Sequence, residues 1–262
     1  MLAMQTSNGE WAMTELGSFR AGSYQFIPGV FQYSAGVKPD DGFEIVRVRF
    51  RRPLALSEGF SAAADHLRSV NRGVQAFCAC ELRSPAPFTE QGFLDFNKEY
   101  VGWLDRWGLT KDGINPVART NVCPEVDPPK TVSLYAFCYT RPTSSKDGGG
   151  FVVAGSGEAP EGKASYRDFA IRPGDQSTEG MLEKCRFVLG EMERRMSALG
   201  AGWADATGAH VYTAYELQAL MKREIAPRGA AANGLSWHFA RPPVQGLDYE
   251  MDVRGVSAEV VI

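Results

Sequence analysis

The sequence predicts an α/β protein of the α+β kind, built as two small domains in tandem, each a mixed sheet with two helices on one face. Three observations lead there. The order of elements recurs, each half reading strand, helix, strand, helix, strand, strand. A polar, glycine-rich run from Arg141 to Gly150, RPTSSKDGGG, has linker composition and falls near the middle of the 262 residues. A Pro-rich turn precedes the last strand of each half, PEVDPP in one and ARPPVQG in the other. The divisions that follow are a flexible leader over 1–21, a first domain over 22–141, a linker over 142–150 and a second domain over 151–262. Each domain is long enough to hold its own core.

In the first half, the runs Tyr24–Val37 and Phe43–Phe50 read as strands. Val46, Val48 and Phe50 alternate with arginines, the period of a half-buried strand, so Arg47, Arg49, Arg51 and Arg52 are expected on its wet face. Ser57 is placed to cap a helix reaching Val70, with Phe60, Ala63, Ala64 and Leu67 sharing a face. Val74–Leu82 reads as a buried strand and Phe88–Trp107 as a helix with an aromatic side. Val117–Cys123 and Thr131–Tyr139 close the half.

In the second half, Phe151–Ala159 is a strand and Thr178–Leu199 a helix. Met181, Cys185, Val188, Met192, Met196 and Leu199 fall three or four apart along it, and Gly200 and Gly202 stop it. Asp205–Thr213 reads as a strand, Tyr215–Ile225 as a helix, and Leu235–Phe239 and Leu247–Val256 as the last strands.

Composition narrows the function. With 44% hydrophobic and 23% charged residues, packed cores are expected rather than disorder. A net charge of -3 argues against a dedicated nucleic-acid binder. No apolar run approaches the ~20 residues of a membrane span, and Met1 to Gly17 lacks a signal-peptide pattern, so the chain is expected to be cytoplasmic. Cys78, Cys80, Cys123, Cys138 and Cys185 form no disulfide framework and no CxxC pair. Cys78 and Cys80, two apart on a strand, are expected on one face in a core. His66, His210 and His238 lack metal-ligand spacing, so neither a metal nor another cofactor is expected. Trp103, Trp107 and Trp237 read as core and His238 as structural, while the GSG at 155–157 is too short for a nucleotide loop.

Two short motifs say more. The run Pro116-Val-Ala-Arg119-Thr-Asn-Val resembles the PARTTV-type signature of the Rid (YjgF-type) reactive-intermediate deaminases. The run from Phe151 to Pro160, FVVAGSGEAP, is similar to the strand that family commonly writes FVSGQIP. The long helix after it and the closing strand with Glu250 and Asp252 also fit, so the resemblance covers most of residues 22–262. It implies a chorismate-mutase-like fold and a homotrimer with sites in the clefts between adjacent domains. It also implies hydrolysis of reactive enamines and imines with release of ammonia, one branch acting on 2-aminomuconate, and a carboxylate-binding role for Arg119. A related group with fused domains, the chorismatases, hydrolyses chorismate instead.

The residue types agree with that chemistry. A guanidinium grips a planar carboxylate with two parallel hydrogen bonds, which suits Arg119 to a small carboxylate substrate. Water attack on an imine carbon needs an acid to place the water and pass protons to the leaving nitrogen. Glu250, Asp252 and Glu158 are the candidates. Residues 248, 250 and 252 share a strand face that is either solvated or a site wall, with Glu250 slightly ahead of Asp252. Backbone N–H groups at Ser156 and Gly157 are placed to hold the second carboxylate oxygen, unless the glycine marks a strand bend. Tyr24 either covers the ligand or is buried. Cys123 shares a strand face with Arg119 and is a pocket-lining candidate without a His partner to activate it.

Two departures shape the expectation. The position matching Arg119 in the second half is Gly234, and the first half carries Ser133 and Tyr135 where the family often has glutamate. A working site would therefore combine Arg119 from one half with Ser156, Gly157 and the acids of the other. Chorismatase-like ether hydrolysis, or metabolite binding without turnover, are the alternatives.

Overall fold

The computed structural model describes residues 15–145, 149–163 and 165–262. The middle of the expected linker and most of the expected leader lie outside those residues. The strands are β1 (Gly17–Phe19), β2 (Tyr24–Ile27), β3 (Gly36–Pro39), β4 (Phe43–Ala55), β5 (Phe77–Arg83), β6 (Ala118–Pro124) and β7 (Ser133–Pro142), then β8 (Phe151–Gly157), β9 (Gly208–Tyr212), β10 (Ser236–His238), β11 (Ala240–Arg241), β12 (Glu250–Gly255) and β13 (Ala258–Val261). The helices are α1 (Leu56–Ser69), α2 (Glu90–Arg106), α3 (Tyr166–Phe169), α4 (Thr178–Leu199) and α5 (Gln218–Leu220), the last continuing as a π turn over Met221–Ile225 and a 3-10 turn over Ala226–Arg228.

Two sheets result, with orders β1-β2-β3-β8-β12-β9-β10 and β11-β6-β5-β7-β4-β13. Within them, β8-β12-β9-β10 and β4-β7-β5-β6 are the same four-stranded arrangement. In each, the first three strands pair antiparallel and the last pair runs parallel. The two halves are thus topologically equivalent, as the recurring element order predicts.

The halves are also interleaved. The strands β1–β3 extend the second half's sheet, and β11 and β13 return to the first half's sheet beside β6 and β4. Part of the expected leader is therefore the edge strand β1, paired to β2 through Gly17↔Phe26 and Phe19↔Tyr24. The sequence division at 142–150 separates the helical layers but not the sheets.

Helices α1 and α2 cover the outer face of one sheet, where Val46, Val48, Phe60, Leu67, Phe77, Tyr100 and Phe137 form a core. Helix α4 covers the other with the predicted Met181–Leu199 stripe, packed on Val153, Val211, Met251 and Val253. The inner faces meet each other through Tyr24, Val37, Ile45, Cys78, Ala79, Ala118, Val152 and Ala154. The order is helix, sheet, sheet, helix.

That inner contact explains several differences from expectation. Arg47 is 4% exposed, not wet, because the second sheet covers its face. It is forked onto Glu81, with Nε and Nη2 at 2.6 and 3.0 Å from the carboxylate oxygens. Arg51 and Arg52 do face water. Cys78 and Cys80 face opposite ways, because a bulge between Phe77 and Ala79 shifts the strand phase at Cys78. Trp237 is 47% exposed rather than core, since β10 is an edge strand. Ser57 lies inside the first turn of α1, whose N-cap is Ala55. His210 and His238, distant in sequence, are hydrogen-bonded at 3.1 Å, and His238 stacks on Tyr212. Burial first, then the nearby arginines, pushes their pKa values down to about 3 and about 4.

Candidate active site

On β6, Arg119 pairs with Cys80 of β5, and its side chain stands on the sheet face that α2 covers. There Arg119 is 4% exposed and its Nη1 donates to Asn97 Oδ1 at 2.5 Å. Four rings surround the guanidinium, with centroids at 5.0 Å (Tyr33), 5.2 Å (Tyr100), 5.4 Å (Phe93) and 5.9 Å (Phe96). Its Nε is buried without a partner, and among the described residues no carboxylate lies within ion-pair distance. A buried cation held by one neutral amide and aromatic faces is costly unless an anion comes to it.

Glu250 approaches from the other half, on β12. It is 4% exposed, and no protein donor among the described residues hydrogen-bonds its carboxyl. Burial, and then the negative charge of Asp252, push its pKa well above the usual carboxylate range, while Arg119 pulls it back. Burial thus favours the protonated form of Glu250. Its carboxyl lies over a bulge in β8, where Ala154 and Gly155 together oppose Asp252. A Cβ at Gly155 would sit 2.3 Å from Glu250 Oε1 and 3.0 Å from Thr120 Cγ2, so any side chain here would push the carboxyl aside and crowd β6. The Gly155 N–H donates to Thr120 Oγ1 of β6 at 3.1 Å, which ties the halves together beside the site.

The other acids have internal partners. Asp252 accepts from the Tyr212 hydroxyl at 2.7 Å and pairs with Arg254 at 2.8 Å. Burial raises its pKa, but Arg254 and His210 outweigh that and leave it below its ordinary value. Glu158 accepts the backbone N–H groups of Asp248 and Tyr249 at 2.5 and 3.0 Å and lies 3.7 Å from the buried Lys184. Burial pushes its pKa up to about 7 against those donors. Lys184 also pairs with Asp248.

Ser156 and Gly157 lie in the β8–β12 ladder, opposite Met251 and Glu250. Ser156 Oγ receives Arg195 Nη2 at 3.4 Å. Cys123, 2% exposed, is close enough to Glu250 to feel its charge, and burial first raises the thiol to about 12. A thiol that weakly acidic supplies no thiolate at neutral pH. Tyr24 is fully buried between the sheets with its hydroxyl on the Phe77 carbonyl at 3.3 Å, apart from the Arg119 cage. Arg119, Glu250 and Cys123 thus come together, with Gly157 opposite Glu250 in the ladder and Asp252 two residues on along β12, whereas the Ser156 side chain turns to Arg195 of α4. Gly234, the counterpart of Arg119, precedes β10 with φ +93° and brings no side chain.

Sequence reasoning did not single out Tyr33, Asn97, Glu161, Tyr166 or Arg195. Tyr33 stacks on Arg119 and donates to Glu161 at 2.6 Å, and Glu161 takes Arg195 at 2.8 Å. Tyr166 packs edge-on against Phe93 at 6.1 Å. Its segment is held down by Glu90, which accepts from the Arg167 N–H and Ser165 Oγ, each at 3.0 Å. Arg195 had a signal. It stands three residues after Met192 in the apolar stripe of α4, where a charge must find a buried partner. Among the described residues no three His, Cys, Asp or Glu side chains form a metal-binding group, and no helix is long and apolar enough to cross a membrane.

A buried arginine awaiting an anion, beside a neutral carboxylic acid and built from both halves, can be set against known proteins. The family model for 2-aminomuconate deaminase CnbZ matches residues 16–260. The chain belongs to this CnbZ family. A 2-amino-5-chloromuconate deaminase of Comamonas testosteroni is 53% identical over 245 residues, covering 93% of this chain and 98% of that one. Among solved structures, a chorismatase aligns with a TM-score of 0.52 at 13% identity, over 92% of this chain and 79% of that one. It shares the two-sheet fold. The YjgF protein of E. coli covers 41% of this chain and 80% of its own, with a TM-score of 0.30 and 15% identity. The match to a 2-aminomuconate deaminase family agrees with the branch acting on 2-aminomuconate that the motifs around Arg119 and Ser156 imply.

Proposed function

We propose that the protein is a hydrolytic deaminase of 2-aminomuconate-like enamine carboxylates, with one composite site per chain. What carries the reading is the juxtaposition of Arg119, buried without a counter-ion among the described residues, with Glu250, buried, without a protein hydrogen-bond donor among them and biased by burial toward its protonated form. The family membership and the 53% identical deaminase support the same substrate class.

In this mechanism the carboxylate next to the C–N carbon binds Arg119, whose Nε gains the partner it lacks. Neutral Glu250 gives its proton to the enamine carbon, which turns the C–N bond into an imine. The guanidinium beside Glu250 steadies the carboxylate left behind. Water adds to the imine carbon and gives a proton to Glu250. That proton passes to nitrogen, the C–N bond breaks and ammonia leaves, while the hydroxyl gives its proton back to Glu250 and becomes the carbonyl of a 2-oxo acid. Glu158 acts as a positioning residue, since it grips the backbone of Asp248 and Tyr249 just ahead of Glu250. Asp252 keeps its pairing with Arg254 and Tyr212 and sets the negative field that raises Glu250.

The test is ammonia release from 2-aminomuconate by wild type and Arg119→Ala. Wild type is expected to release ammonia, and the variant to lose roughly 100-fold or more in kcat/KM, the usual penalty for removing one partner of a buried charged pair. No release by wild type, with pyruvate formed from chorismate, would replace this reading by the chorismatase-like one. A homotrimer belongs to the same proposal. Gel filtration with light scattering tests it, and the mass of a single chain would contradict it.

A further inference from the structure

Resting on that reading, we propose that Arg195, Tyr33 and Ser156 form a second carboxylate seat, which Glu161 fills in the free protein and the substrate's distal carboxylate takes over. Arg195 projects from α4 and is fully buried. It donates to the Ala154 carbonyl at 3.0 Å, to Ser156 Oγ at 3.4 Å and to Glu161 Oε1 at 2.8 Å. The Tyr33 hydroxyl donates to the same Glu161 oxygen at 2.6 Å. Among the described residues Arg195 Nε has no hydrogen-bond partner, with Glu191 3.8 Å away.

The donors and the acceptor differ in how they are held. Arg195 and Tyr33 are 0% and 7% exposed, whereas the Glu161 side chain is 21% exposed and lies between β8 and α3, outside both elements. The donors are fixed, and the carboxylate is the part that can leave. The ring of Tyr33 also faces Arg119 at 5.0 Å, so two guanidinium groups flank one tyrosine. A flat conjugated chain with a carboxylate at each end fits that arrangement, and Ser156 on β8 links the seat to the strand that carries the Glu250 pocket. Glu161 then acts as an internal competitor. A ligand with two carboxylates displaces it, while a ligand with one leaves it in place.

Calorimetric binding of two unreactive all-trans six-carbon dienoates tests this: muconate, with two carboxylates, and sorbate, with one. Wild type, Arg119→Ala, Arg195→Gln, Tyr33→Phe and Glu161→Gln are compared. Arg119→Ala is expected to weaken both ligands. Arg195→Gln and Tyr33→Phe are expected to weaken muconate about tenfold or more and leave sorbate unchanged, as befits loss of charge-assisted hydrogen bonds. Glu161→Gln should tighten muconate by about tenfold, because the competitor has lost its charge.

Tyr33→Phe removes one hydroxyl and keeps the ring, so it reports even where Arg195→Gln fails to fold. Equal weakening of both ligands by Tyr33→Phe, or weaker muconate binding to Glu161→Gln, would overturn the seat. If wild type releases ammonia from 2-aminomuconate but lacks this pattern, the seat is wrong and the deaminase reading stands. If the pattern is present without ammonia release, the seat stands and the deaminase reading fails.

Discussion

At the scale of single residues, the proposed function rests on a carboxyl whose burial favours its protonated form. Glu250 holds its proton in the folded chain to a higher pH than it does unfolded. Between the unfolded value of about 4.3 and the raised folded one, the folded state binds more protons, so stability falls as pH rises through that window. Glu250→Gln has no proton to lose. Its melting temperature is expected to gain on wild type as pH rises above that lower bound, while ammonia release falls about 100-fold or more. A variant that is both active and no more stable at neutral pH would contradict the role. The kcat/KM profile of wild type should decline on the alkaline side as free Glu250 ionises, and a rate that climbs steadily with pH would speak against an acid. Gly155→Ala places a methyl 2.3 Å from the same carboxyl, so a loss of about 1–3 kcal/mol and slower turnover are expected from denaturation and activity assays.

The same scale shows what the sequence could tell. Arg119 was legible because a motif surrounds it, and Glu250 because it stands in a row of acids on a strand. That row did not say which acid is unpaired. Asp252 and Glu158 differ from Glu250 only through partners brought by other elements: Arg254 and Tyr212 for one, the Asp248 and Tyr249 N–H groups for the other. Arg195 and Lys184 were visible as charges inside the apolar stripe of α4, and both are fully buried in pairs.

At the scale of elements, α4 was read to its termini because its stripe and its Gly200 stop agree, and in the structure Ser177 caps its start. Most strands were found, but β1 and β13 were not, and several faces were misread. Bulges at Cys78 and at Ala154–Gly155 change which side chains look inward, and periodicity alone does not reveal an extra residue. The second bulge sits beside Glu250, where it makes room for the carboxyl. The start of β12 depends on the buried group of Glu158, Asp248 and Lys184. Lys184→Met would leave two buried carboxylates without their cation. A loss of about 3–5 kcal/mol is expected in denaturant unfolding, and a change near zero would mean the group does not anchor the strand.

For the whole molecule, the equivalence of the halves was visible in element order, but their interleaving was not. Strand pairing between distant segments leaves no local pattern, so β1–β3 read as part of the first half although they extend the second half's sheet. Separate expression of residues 15–145 and 149–262 should give two chains that fail to fold alone and fold together when co-expressed. Independent cooperative unfolding of either piece would contradict the exchange of strands.

Interleaving also places Arg119 of one half and Glu250 of the other in a single chain, and that is the central claim. The most direct measurement is ammonia release from 2-aminomuconate by Arg119→Ala, Glu250→Gln and the two variants co-expressed. Each is expected to be about 100-fold or more below wild type, and the mixture should stay as low as its parts. Recovery of activity in the mixture would show that the arginine and the acid come from different chains, and the account of the site would be wrong.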